Sequence, residues 1–117
     1  MVLCLSKHTI THYLLAFSVK LLEYDKRFAT VAEKDFIYYD YKSPMSFGQI
    51  FTGDSEVCLR DSFDVVIADP PFLSEECLTK TSVTVKYLAK KDAKLLVCTG
   101  NFWRDIIVDS HEILANR

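Results

Sequence analysis

The sequence predicts an open α/β sheet with parallel strands, built as one small domain. Three observations carry that prediction. Strand-like and helix-like stretches alternate in the order β, short α, β, loop, β, α, β. The run 64–68 (DVVIA) is almost wholly apolar, as suits a strand covered on both faces. Three strands end on acids, and ligands of such sheets bind beyond the carboxyl ends of the strands.

Each element has its own signal. Residues 19–25 (VKLLEYD) read as a strand ending in Glu23 and Asp25, and Lys26 to Ala32 as the start of a short helix. Residues 36–41 (FIYYDY) are aromatic-rich and strand-like, and they run into Asp40 and Tyr41. Pro44, Gly48 and Gly53 mark 42–62 as loop with room for one helical turn. The strand at 64–68 stops at Asp69-Pro70-Pro71-Phe72. Ser74 is then a good N-cap, and Glu75 and Glu76 complement the helix dipole. Leu78, Thr81, Val85 and Leu88 recur at helical spacing, which is the pattern of a helix packing one face on a core. Lys90, Lys91 and Lys94 read as a solvated charged turn rather than a nucleic-acid patch, and 95–98 (LLVC) as a last buried strand before Gly100.

Composition narrows the classes. With 117 residues, half of them hydrophobic and 26% charged, the chain has the make-up of a globular domain rather than a disordered one. Fourteen basic against sixteen acidic residues leave a net charge of −2, which gives no support for broad phosphate binding. Nucleic acid is therefore not the expected partner. Cys4, Cys58, Cys77 and Cys98 lie far apart with no C-x-x-C pair, so neither zinc nor a disulfide framework is expected. Cys77 and Cys98 fall in segments that read as buried. His8 and His12 read as surface histidines, not metal ligands. No stretch approaches membrane-span length, and the apolar run 13–19 follows too weakly basic a start for a signal peptide.

The acid-Pro-Pro-aromatic corner points to methyl transfer onto an amino nitrogen. That reaction is an in-line displacement, so the lone pair of the amine must face the methyl carbon. Asp69 can supply a carboxylate acceptor and Pro70 a carbonyl. Two successive prolines hold a rigid corner with few competing donors. Phe72 offers an apolar face to a flat base or a lysine stem. Such catalysis is mostly positioning and electrostatics. A strand merely stopped by Pro-Pro is the plainer alternative. Glu23 and Asp25 can accept ribose hydroxyls, and Asp40 an adenine amino group beside Tyr41 or Tyr39. Taken together these acids describe a nucleoside-containing methyl donor across the sheet edge.

The ordered set LLEYDKRF, FIYYDY, FDVVIADPPFLSEECLTKTSVTVKYL and LLVCTG resembles the eukaryotic elongation factor 1-alpha lysine methyltransferases. That family has also been described as N6-adenine-specific DNA methyltransferases because of its DPPF/DPPY motif. The resemblance covers about residues 19 to 100. It implies the Rossmann-like class I S-adenosylmethionine-dependent methyltransferase fold and transfer to a lysine of elongation factor 1-alpha in the cytoplasm. It also implies that Glu23 holds the ribose, that Asp40 and Tyr41 flank the adenine, and that Asp69, Pro70, Pro71 and Phe72 face the amine.

Two stretches depart from the family. Residues 1–18 show no glycine, no first strand and no methionine-cradling loop, and are expected to supply at most a helix. Residues 101–117 do not resemble the closing strands. The chain is accordingly expected to be a partial methyltransferase domain, truncated or alternatively spliced or from a partial gene model, with two half-sheets left open at their inner edges and cofactor binding that is poor or absent. Adenine-N6 methylation and a non-catalytic binding fragment are the competing functions.

Overall fold

In the computed structural model, residues 2–11, 14–47, 50–52, 55–71 and 74–98 are described. A five-stranded sheet organises them. Its strands are β1 (Val2–Thr11), β2 (Leu14–Glu23), β3 (Phe36–Tyr38), β6 (Phe63–Ala68) and β7 (Ala89–Val97), in the spatial order β3-β2-β1-β6-β7. A separate two-stranded ribbon pairs β4 (Ile50–Thr52) with β5 (Ser55–Val57) inside the stretch predicted as loop.

The two half-sheets of the sequence prediction are in fact joined. β1 lies between them and pairs antiparallel with β2 along its length and with β6 over Val2–Leu5. Neither a helix nor an open seam occupies the start of the chain. β2 likewise begins at Leu14, not at residue 19. The apolar run that opens β1 (Val2 to Leu5) is cut short by Ser6, Lys7 and His8, which is why the full strand was not legible. His12 lies outside the described residues.

The sheet is therefore mixed rather than wholly parallel. β2–β3 and β6–β7 are parallel pairs, and the central strand alone runs the other way. The carboxyl ends of β2, β3, β6 and β7 still share one edge.

One face of this sheet forms the core. Val2, Cys4, Leu22, Ile37, Val66 and Ala68 are all buried on it. α2 (Glu75–Leu88) covers part of that core with Cys77, Leu78, Thr81, Thr84, Val85 and Leu88. Burying a leucine or valine fully contributes about 1.5–3 kcal/mol, so Leu22, Leu88, Val2 and Val66 are major contributors. The helix starts as predicted: the Ser74 side chain accepts from the Cys77 N–H at 3.2 Å. Its far end is tied to the start of β6 by Asp61 N–H to Tyr87 O (2.9 Å) and Ser62 N–H to Leu88 O (3.0 Å).

The predicted lysine turn at 90–94 is instead the first half of β7. Ala89, Ala93, Leu95 and Val97 are the less exposed positions, while Lys91, Lys94 and Leu96 are exposed. The period is two from Ala93 onward, past a register irregularity between Ala89 and Lys94, and the lysines decorate an edge strand, where charge discourages pairing with other chains. Lys90 reaches back to both carboxylate oxygens of Asp64 at 3.0 Å. Cys98, expected to be buried, is exposed, and its N–H closes the ladder onto Ala68 O at 2.8 Å.

Among the described residues no helix is long and apolar enough to cross a membrane. Nor does any group of His, Cys, Asp and Glu gather there as a metal site.

Candidate functional site

Where β2 and β3 end, the backbone turns sharply and leaves a cavity of about 360 Å³. The Tyr39 N–H donates to Glu23 O at 3.1 Å, which joins the two strand ends at its base. Glu23 then folds its side chain over the turn that follows. Its Oε1 accepts from the Tyr24 N–H at 2.8 Å and from the Asp25 N–H at 3.1 Å.

Asp25 caps the next turn. Its Oδ1 accepts from the Arg27 N–H at 3.0 Å, and the Arg27 guanidinium engages both oxygens. α1 (Ala29–Ala32), a single helical turn flanked by 3₁₀ turns, follows. Hydrogen bonding from Arg27 holds the Asp25 carboxyl well below its ordinary range, at about 2. Asp25 thus lines the cavity with its carboxylate already committed to Arg27.

Beyond β3 the chain enters a second self-capped turn. The Lys42 N–H donates to Asp40 Oδ1 at 2.9 Å, and the Ser43 N–H to Asp40 O at 3.0 Å. This is the local side-chain-to-backbone pairing that favours aspartate in turns. Asp40, Tyr41 and Lys42 from the turn after β3 line the cavity as a wall, together with Glu23, Tyr24 and Asp25 from the end of β2, and Tyr39 and Pro71 complete the lining.

Of the predicted site residues, Glu23, Asp25, Asp40, Tyr41 and Pro71 therefore meet at one cavity. Asp69 and Pro70 lie beside it at the end of β6, Asp69 exposed and Pro70 buried. Phe72 lies outside the described residues. The Pro-Pro corner thus reaches the edge where the acidic strand ends collect.

Tyr24 and Lys42 are cavity residues that the sequence reading did not single out. Tyr24 is 63% exposed and its ring packs on Tyr38 at 5.7 Å, with the Lys26 ammonium 5.0 Å above Tyr38. An aromatic directly after a strand-end acid was the available signal.

Two carboxylates, flanking tyrosine rings and a proline make a suitable lining for the nucleoside half of S-adenosylmethionine. Carboxylate and hydroxyl oxygens can accept from ribose hydroxyls and an amino group, and the rings can lie against a flat base. For an amino-acid carboxylate the lining offers one cation, Lys42.

A family model described as "Probable N6-adenine methyltransferase" matches residues 1–116. The chain belongs to that family. Within it, the chain is 54% identical over 84 residues to human "EEF1A lysine methyltransferase 1", and 52% identical over 84 residues to the chicken protein of the same name; each match takes in 72% of this chain and 35% of the relative. A Caenorhabditis elegans protein-lysine N-methyltransferase is 44% identical over 85 residues, or 73% of this chain and 35% of that protein. This methyltransferase-family chain therefore spans about a third of the length of the curated relatives it matches. The resemblance read from the LLEYDKRF and DPPF segments is borne out. No solved structure matches the chain.

Proposed function

We propose that this chain is the cofactor-facing portion of a protein-lysine N-methyltransferase that uses S-adenosylmethionine and acts on elongation factor 1-alpha in the cytoplasm. The observation that carries the reading is the single cavity shared by Glu23, Asp40 and Pro71. The names of the vertebrate relatives support the lysine substrate.

In this reading Glu23 accepts from the ribose, Asp40 and Tyr41 hold the adenine, and Asp25 keeps the intervening turn in shape through Arg27. The donor, when bound, supplies a methyl group on a sulfonium, which is electrophilic. Asp69 and the Pro70 carbonyl accept from the incoming amine and aim its lone pair, while Pro71 walls off water. A lysine amine is protonated at neutral pH, and an ionised Asp69 favours that form, whereas desolvation at the corner opposes it. The family description favours a second reading, methylation of adenine N6. The net charge of −2 weighs against that reading.

Calorimetric titration of the chain with S-adenosylmethionine tests the proposal. Measurable binding that weakens about tenfold in Asp40→Ala, roughly 1.4 kcal/mol, is expected. Binding indifferent to both Glu23→Ala and Asp40→Ala would remove the cavity from the mechanism. Incubation of a full-length relative with labelled donor and either elongation factor 1-alpha or DNA then separates the two substrates.

A further inference from the structure

Behind the cavity, buried polar groups connect it to α2. The Tyr39 hydroxyl lies 2.8 Å from Thr84 Oγ1, and Thr84 Oγ1 lies 2.8 Å from the Pro44 carbonyl oxygen. Thr84 is 0% exposed and Tyr39 5%. A hydroxyl has one proton, and a carbonyl only accepts. Thr84 therefore donates to a carbonyl, Pro44 at 2.8 Å in preference to Lys80 at 3.5 Å, and Tyr39 donates to Thr84, which fixes the direction of the whole relay. Phe47 closes it, packing edge-on against Tyr39 at 5.8 Å and against Tyr87 of α2 at 5.9 Å.

The relay brackets the cavity wall. Tyr39 stands at one end of the segment Asp40–Lys42 and Pro44 at the other, and the turn beyond is closed by Ser46 N–H to Ser43 O at 3.0 Å. Thr84 touches both ends at once without lining the cavity. Thr81, one helical turn earlier, is also buried and close enough to act on the Tyr39 hydroxyl, yet its own hydroxyl meets hydrogen-bond geometry with no partner among the described residues. Two threonines share one helix face, and Thr84 is the one bonded at 2.8 Å to both Tyr39 and Pro44.

We infer that Thr84 is the positioning residue of the nucleoside cavity, holding the Asp40–Lys42 wall at its two ends through the Tyr39 hydroxyl and the Pro44 carbonyl. This rests on the functional reading above for the identity of the ligand, but not for the positioning itself. Loss of the hydroxyl leaves a buried donor and an acceptor unmatched, and the wall loses its register against Glu23.

The test compares Thr84→Val, Thr84→Ser and Thr81→Val in the full 117-residue chain, by amide hydrogen exchange and by adenosine titration. Thr84→Val is expected to speed exchange at residues 40–46 severalfold while leaving β6 unchanged, and to weaken adenosine binding about tenfold. Thr84→Ser should restore both, because it returns the hydroxyl. Thr81→Val should change both far less than Thr84→Val does. Exchange at 40–46 that is unchanged in Thr84→Val, or changed equally in Thr81→Val, overturns the inference. Should the wild-type chain bind no adenosine while the exchange pattern holds, Thr84 keeps its positioning role and the nucleoside reading falls. Should Thr84→Val fail to fold, Tyr39→Phe breaks the relay at its other donor, and faster exchange at 40–46 is again required.

Discussion

Val2 stands opposite Ala68 on an antiparallel ladder, so the amino end of β1 and the carboxyl end of β6 reach the same edge of the sheet. A parallel strand in that central place would deliver its carboxyl end and a loop to the cavity side. β1 delivers its first residues instead, and it runs antiparallel to β2. The backbone edges of β2 and β6 are satisfied all the same, which is what an isolated pair of half-sheets would lack.

A central β1 makes Cys4 a stringent probe. It pairs with Val66 on one side and Lys20 on the other, and its side chain is 0% exposed. Cys4→Asp places a carboxylate in the core without a partner and should cost roughly 3–5 kcal/mol. Cys4→Val, apolar and of similar volume, should cost less than about 1.5 kcal/mol. Urea midpoints measure both. Equal tolerance of the two substitutions would mean that β1 does not sit between β2 and β6.

Thiol chemistry gives an independent check on the same core. Burial pushes the Cys4 thiol up to about 12, and Cys77 is equally inaccessible, whereas Cys58 and Cys98 are exposed. Only a thiolate reacts with a disulfide reagent at a useful rate. Two thiols should therefore react promptly in the native chain and four in denaturant. Prompt labelling of Cys4 at pH 8 would contradict the packing.

The Lys90–Asp64 pair joins the edge strand β7 to β6, with side chains 43% and 27% exposed. At such exposure an ion pair contributes below about 1 kcal/mol, and salt screens it further. Asp64→Asn should accordingly lower stability by less than that amount, and by still less in molar salt. A loss above 2 kcal/mol would show the pair to be far better shielded than its geometry indicates.

How far the sequence foretold this structure depended on how local each signal was. Ser74, Leu78, Val85 and Leu88 announced α2 because capping and a 3.6-residue period act within one helix. Glu23, Asp40 and Pro71 could be brought together in advance because strands of one direction place their carboxyl ends at one edge. β1 was missed because its membership is decided by long-range pairing, with Lys7 and His8 cutting short its opening apolar run. The first half of β7 was missed because lysines on an edge strand look like lysines in a turn. The Tyr39–Thr84–Pro44 relay spans some 40 residues of sequence, and no spacing rule reports it.

Asp25 offers a pH signature for the turn beside the cavity. Hydrogen bonds from the Arg27 side chain and backbone lower its carboxyl from the ordinary 3.8 to about 2. A folded-state value below the unfolded one means that the ionised form stabilises the fold. The contribution is thus complete above the ordinary carboxylate range and fades as pH falls from near 4 toward 2. Carbon NMR titration of the Asp25 carboxyl should show a depressed midpoint in the wild type and a return toward the ordinary value in Arg27→Ala. Molar salt should move the wild-type midpoint upward, because the pair is exposed and screened. A midpoint unmoved by Arg27→Ala would mean that Arg27 does not hold the carboxylate, and the turn between Glu23 and α1 would then need another restraint.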